Sequence, residues 1–198
     1  MTRAKLVRLS AAGIFAGLAL TLTSVNAAES EPTTAQSEEG FAQEEVLARA
    51  QTFFGETTQG LAQAVEKTFA DLGRPNAYIV GEELSGAIGI GARYGQGELS
   101  IYEGQSMPVF WQGPSVGFDT GGNASKVLAL VYNLESSDDL FQRYPGVDGS
   151  LYVVAGASVN YLRSGDVIIA PIRTGVGARA GVSVGYVHFT RKKSLIPF

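Results

Sequence analysis

The residue types that carry most biological chemistry are scarce in this chain. Among 198 residues there is one histidine, His188, and no cysteine. A zinc site would therefore have to be assembled almost wholly from carboxylates, and a thiol nucleophile is excluded. No GxSxG nucleophile elbow occurs, and no Walker lysine follows a glycine run. The string Gly89-Ile90-Gly91-Ala92-Arg93-Tyr94 begins like a dinucleotide-binding GxGxxG but lacks the last glycine and lies in a strand pattern. Glu82-Glu83 and Asp138-Asp139 are adjacent pairs, and neighbours on an extended chain point to opposite faces, so neither pair forms an acid-base couple by itself. They read as surface charges or caps. Asp119, Asp148 and Asp166 sit in turn contexts, where an Asp side chain bonds its own backbone. No catalytic residue, metal or cofactor is assigned; a hydrolase would need carboxylates brought together from distant parts of the chain.

Recognition chemistry has more material. Arg93, Arg173 and Arg179 occur on faces otherwise dominated by small residues, where a long guanidinium protrudes and meets an acidic group. Tyr94 and Trp111 add aromatic surface with a polar handle. These five residues are the candidate ligand or partner surface. The competing reading has Trp111 plugging the core while the arginines pair with internal acids or reach solvent.

The elements that must position them begin after an export signal. Arg3, Lys5 and Arg8 precede an apolar run from Leu9 to Leu22, which ends at the small-residue site Val25-Asn26-Ala27. Residues 1–27 read as a signal peptide, its apolar run too short for the roughly 20 residues of a membrane-spanning helix. Cleavage after Ala27 removes three basic residues and no acid, taking the formal charge from −4 to −7. Such a balance offers no general attraction to nucleic acid or anionic lipid. The expectation is a periplasmic protein with no transmembrane span after cleavage. The next segment, 28–40, is rich in glutamate and poor in large apolar residues, as expected of a disordered acidic spacer.

The remaining stretch, 41–198, reads as a single domain. A helical part spans 41–73: Phe41, Val46, Leu47, Ala50 and Phe54 recur at helical spacing up to Gly55, and Leu61, Val65, Phe69 and Leu72 form a second stripe that stops at Gly73 and Pro75. From 76 to 190 the period is two. Strands are expected at 77–80, 86–94 and 98–102, with Gly95-Gln96-Gly97 as a hairpin turn. A loop with one or two short edge strands is expected over 103–123. The strand at 124–133 is apolar on both faces and reads as the middle of the structure. A short helix is expected within 136–144, then strands near 150–161, 166–173 and 175–190, with Ser164-Gly165-Asp166 as a turn. A tail, 191–198, closes the chain.

Glycine supplies 25 residues with no G-X-Y repeat, and in 86–94 and 175–185 it alternates with larger residues. One face of those strands is nearly bare, which permits strong coiling and close approach of a neighbouring wall. The fold class is mainly β: a small antiparallel β-barrel with the N-terminal helical segment packed against it, a two-sheet sandwich being the alternative.

Three segments carry a family resemblance: YIVGEELSGAIGIGARYGQGEL, VFWQGPSVGFDTGGNASKVLALVYNL and LFQRYPGVDGSLYVVAGASVNY. From about Glu44 to the C-terminus the chain resembles the family of domains of unknown function typified by envelope integrity protein A of alphaproteobacteria. That resemblance implies a soluble periplasmic protein with a small conical β-barrel of about ten strands, contributing to cell-envelope integrity and to growth or division. It implies no enzyme activity and no catalytic residue. The segments GARYGQGEL and VGFDTGGNASKVLALV are also similar to parts of the lipid-binding SYLF family. There, basic residues near the N-terminal helix matter, whereas this helical part holds only Arg49, Lys67 and Arg74.

The expected function is a periplasmic, non-enzymatic envelope factor whose partner is an envelope protein, a lipid or a peptidoglycan component, and not nucleic acid. The alternatives are a binding protein for a lipid or cell-wall fragment and a carboxylate-based cell-wall hydrolase.

Overall fold

The computed structural model of the chain describes residues 39–55, 58–174 and 185–194, with the backbone course alone for 87–90 and 115–123. The signal peptide, nearly all of the acidic spacer, the alternation over 175–184 with Arg179, and the end of the tail lie outside the described residues.

Two helices come first, α1 (Gln43–Phe54) and α2 (Gln59–Leu72). The stop of α1 is Gly55, whose N–H donates to the Gln51 carbonyl at 2.9 Å. The start of α2 is capped by the Thr58 hydroxyl, which accepts from the Leu61 N–H at 3.2 Å, and its end by the Gly73 N–H donating to the Phe69 carbonyl. Each helix buries one apolar stripe, Val46 and Ala50 in α1, and Leu61, Ala64 and Val65 in α2.

Eight strands follow among the described residues. They are β1 (Ala77–Ile101), β2 (Ser106–Tyr132), β3 (Arg143–Pro145), β4 (Tyr152–Val154), β5 (Ala157–Val159), β6 (Leu162–Ser164), β7 (Val167–Thr174) and β8 (Tyr186–Thr190). All pairings are antiparallel. The first two are 25 and 27 residues long and pair with each other along nearly their whole length, with a register shift between Ser85 and Ala87. Each of them serves the wall twice, once on either side of its middle.

The pairing then runs in a circuit. The last part of β2 pairs with β7, β7 with β6, and Gly146 beside β3 bridges Leu162 of β6. From β3 the path continues to β8, and β8 pairs with Phe110, Trp111 and Gln112 near the start of β2. The two arms of β1 meet where the circuit returns: the Tyr102 N–H donates to the Asn76 carbonyl at 2.9 Å, and Gly81 crosses Gly97. A side chain at Gly81 would come within 2.8 Å of the Gly97 Cα. The sheet is therefore a barrel-like wall with the helices on its outer face.

The alternation of the strands sorts the apolar residues into two cores. Odd-numbered residues such as Ile79, Leu99, Val109, Trp111, Val127, Ala129 and Ile169 point into the barrel, where Tyr144, Leu162, Val187 and Phe189 join them. Even-numbered Tyr78, Leu128, Leu130, Ala170 and Ile172 point outward and are covered by the buried stripes of α1 and α2. The 124–133 segment is covered on both faces, as its composition indicates. Full burial of each such Leu or Ile contributes about 1.5–3 kcal/mol.

Four local expectations give way to this arrangement. Gly95-Gln96-Gly97 lies inside β1 and not in a turn, which falls instead at 102–105. These glycines serve close approach: a Cβ on Gly95 would fall on the Trp111 ring, and one on Gly97 on the Val80 carbonyl. The expected loop over 103–123 is mostly β2, because 106–119 and Asn123 stand across from residues of β1 in an antiparallel ladder. The helix expected in 136–144 is a single 3-10 turn, Ser137–Leu140, capped reciprocally by Ser136 and Asp139, after which the chain enters β3. The segment 150–161 makes two strands, β4 and β5, turned at Ala155 and Gly156, both at positive φ.

If close approach governs the glycines of β1, Gly95→Ala lowers the urea-unfolding stability by about 1–3 kcal/mol, the usual cost of overpacking. Gly86→Ala, where nothing lies within 4 Å, is the control and leaves the midpoint nearly unchanged.

Candidate functional site

The structure gathers three of the five sequence-derived site residues inside the barrel, around an acid the sequence reading assigns to the surface. Glu83 on β1 is buried, whereas its neighbour Glu82 is exposed. The reason is parity: Glu83 shares a face with Ala77 and Ile79, both in the barrel core. Its Oε1 accepts from Arg173 Nε at 2.9 Å, and its Oε2 accepts from Trp111 Nε1 at 2.8 Å and Arg173 Nη2 at 3.4 Å. The Arg93 guanidinium stands 3.9 Å from Oε1 and donates through Nε to the Pro114 carbonyl at 3.1 Å. Arg173 Nη1 reaches the Asn160 Oδ1 at 3.0 Å, so β1, β2, β7 and the residue after β5 are tied at one point.

Electrostatics keep this cluster ionised. Burial by itself would raise the Glu83 pKa; Arg173 and then Arg93, with the hydrogen bonds from Arg173 and Trp111, outweigh it and hold the carboxyl down at about 2. Burial is also the largest influence on Arg93, and it is pushed down to about 10 despite the nearby Glu83. A carboxylate held at about 2 and occupied by these donors is a poor proton acceptor near neutrality. Its chemistry is that of a structural ion pair. Arg93, Trp111 and Arg173 are thus interior residues, each no more than 4% exposed, and do not form an open surface. Glu83 and Asn160 escape a reading of motifs, because both alternate faces of 77–84 carry apolar residues and neither is marked as the inner one.

Beside this cluster the described side chains fill the barrel interior closely. The space beside Ile79, Trp111, Val127 and Arg173 is a cavity of about 10 Å³, near the minimum for one water molecule. Larger hollows lie outside the wall. A groove of about 510 Å³ is lined by Phe53, Val80, Glu82, Glu98, Pro108 and Phe110, across the place where the two arms of β1 cross. A second hollow of about 170 Å³ shares Glu82, Gln96 and Phe110 with it and adds Leu84, Tyr94 and Lys193. Tyr94, the fourth sequence-derived residue, therefore belongs to the outer surface, with one side of Trp111 behind it.

A third hollow, about 300 Å³, sits at the end of α2 between Asp71, Arg74, Tyr132 and Asn133. Under α2 the Tyr161 hydroxyl donates to Asp71 Oδ2 at 2.6 Å, and Lys67 Nζ donates to the same oxygen at 2.9 Å. These two hydrogen bonds, that of Tyr161 first, hold the Asp71 pKa below the ordinary value. The Tyr132 hydroxyl is buried and has no hydrogen-bond partner among the described residues. His188 is half-buried on β8; burial, and after it Arg143, lower its pKa. Among the described residues no group of His, Asp and Glu side chains could hold a metal ion.

Removing the carboxylate at the centre of the cluster is expected to be costly. Glu83→Gln leaves buried guanidinium charge uncompensated and lowers stability by about 3–5 kcal/mol in urea titrations. The folded pKa of about 2 lies below the reference value of 4.5, so ionised Glu83 stabilises the fold above pH 4.5, and this is lost as pH falls through 2. The difference amounts to about 3 kcal/mol, and an acid-unfolding series on Glu83→Gln should lack that limb. Tyr132→Phe removes an unpartnered hydroxyl without opening a cavity, so its melting temperature is expected to stay level or rise.

The fold and this cluster can be set beside known proteins. No curated protein sequence matches the chain. A crystal structure of a protein from Brucella abortus, described as beta-barrel-like and uncharacterized, is similar at 46% sequence identity, covering 80% of this chain and 99% of that one, with a TM-score of 0.73. The family model described as envelope integrity protein A matches residues 39–198. That span contains both helices, every described strand and the whole Glu83 cluster, and the chain belongs to the envelope integrity protein A family.

Proposed function

We propose that this chain is a periplasmic, non-enzymatic factor that maintains the cell envelope by contacts made on its outer surface. The observation that carries the reading is the family match over 39–198, whose description supports an envelope-integrity role for the span that holds every described helix and strand. Periplasmic location is supported by the N-terminal pattern, in which a basic start, an apolar run and Val25-Asn26-Ala27 follow one another. On this reading residues 28–40 are a spacer and 41–198 a single exported domain.

The geometry supports contact and not chemistry. The most strongly perturbed carboxylate, Glu83, is engaged by Arg173, Arg93 and Trp111 in holding strands together. The interior cavity of about 10 Å³ is too small for a lipid chain or a sugar, so a lipid or cell-wall fragment would have to be met from outside. Among the described residues no helix is long and apolar enough to cross a membrane.

A fusion of the full chain to mature β-lactamase is expected to confer ampicillin resistance, and a fusion starting at Ala28 is not. A deletion strain is expected to become sensitive to detergent and to cell-wall antibiotics, and to be rescued by the full chain but not by the chain lacking residues 1–27. Rescue by the unexported chain, or no envelope sensitivity on deletion, would sink the reading.

A further inference from the structure

The outer groove has an uncompensated charge whose origin can be traced. Glu82 and Glu98 both line it, both are exposed, and neither has an ion-pair partner among the described residues. In the register of β1 with β2, Glu82 lies directly across from Lys126, the position from which a cross-strand ion pair ordinarily forms. Lys126 is turned elsewhere. Its ammonium donates to the Phe53 carbonyl at 3.1 Å and the Phe54 carbonyl at 3.3 Å, closing the C-terminal end of α1, and lies 5.4 Å from the centre of the Phe53 ring. The basic residue that faces Glu82 across the ladder thus fastens a helix, and the groove keeps two carboxylates beside Phe53, Val80, Pro108 and Phe110.

We propose that this groove docks an extended basic segment of a partner protein, with a Lys or Arg side chain between Glu82 and Glu98 and its apolar neighbours on Phe110 and Tyr94. The inference rests on the reading of the chain as an envelope factor that works from its outer surface, and names the kind of partner. Charge complementarity selects the occupant. Two carboxylates flanked by aromatic rings suit a cation on a long apolar stem, which gains both ion pairing and a cation–π contact. A neutral sugar would leave both charges uncompensated. The groove of about 510 Å³ and the hollow of about 170 Å³ share Glu82, Gln96 and Phe110 as lining residues and so lie side by side. Lys193 lines that hollow but not the groove, so the basic side chain of the segment belongs in the groove with Glu82 and Glu98 and an uncharged stretch beside Lys193. The formal charge of −4 over the whole chain favours approach of a basic partner.

Trp111 is the single tryptophan and lines the second hollow, so its fluorescence reports on occupancy. The chain isolated as exported is titrated with the amidated peptide Leu-Lys-Leu-Lys-Leu, with its Leu-Glu-Leu-Glu-Leu counterpart, and with chitotriose. Saturable binding of the lysine peptide alone is expected, weakened about tenfold in the Glu82→Gln, Glu98→Gln double variant and weakened again by added salt. Both glutamates are exposed, and an unchanged melting temperature verifies that the double variant is folded. Equal affinity of the double variant, binding of chitotriose as tight as that of the peptide, or no binding of the lysine peptide would each overturn the proposal. None of these results touches the deletion and export phenotypes, so failure of the groove assignment is separable from failure of the envelope role.

Discussion

Glu83 joins strands that are far apart in sequence, and the interior of the barrel is organised around it. Its carboxylate receives Arg173 from β7 and Trp111 from β2, with Arg93 from the other arm of its own strand close by. Taking a carboxylate and two guanidinium groups out of water costs several kcal/mol per ion, a cost offset only where the geometry satisfies them. Here Asn160 and the Pro114 carbonyl engage further guanidinium N–H groups. The direction in which Trp111 lies follows from the same bond. With its indole nitrogen held by Glu83, the ring passes under Gly95 and Gly81, and those positions have to be bare.

The glycines and the ion cluster are therefore two sides of one constraint. A wall that closes on so small a core must let its strands pass nearly in contact, and β1 does so by crossing itself at Gly81 and Gly97. The long β1–β2 hairpin supplies both ends of the pairing circuit among the described residues. The larger hollows lie on the outside, where Tyr94, Phe110, Glu82 and Glu98 line them and where Lys126 is already committed to α1. The chain belongs to the envelope integrity protein A family, and the barrel-like protein from Brucella abortus shares this architecture.

Much of this fold is legible in the chain. The stripe Leu61, Val65, Phe69 and Leu72 makes α2 and the stop at Gly73 ends it, because an amphipathic period and a C-terminal glycine act locally. The two-faced apolar run at 124–133 sits between the barrel core and the helices, because only a strand covered on both sides tolerates that composition. Local signals mislead where a distant partner overrides them: Gly95-Gln96-Gly97 has the chemistry of a turn, yet its neighbours are a tryptophan ring and a crossing strand. Likewise Ser136 and Asp139 do cap a helical turn, but pairing with β8 draws the next residues into β3.

The sequence by itself determined the two helical stripes, the two-faced strand at 124–133 and the scarcity of catalytic groups, since these depend on residues near one another in the chain. Which of the adjacent acids Glu82 and Glu83 enters the barrel was decided only by the tertiary structure. In Gly81-Glu82-Glu83-Leu84 neither alternate face is distinctly apolar, so the local pattern carries no preference. Register with β2 settled it, placing Glu83 before Trp111 and Arg173 and leaving Glu82 beside a lysine that bonds elsewhere. The same registry that hides one carboxylate in an ion cluster exposes its neighbour in the groove, because successive side chains on a strand must point to opposite faces.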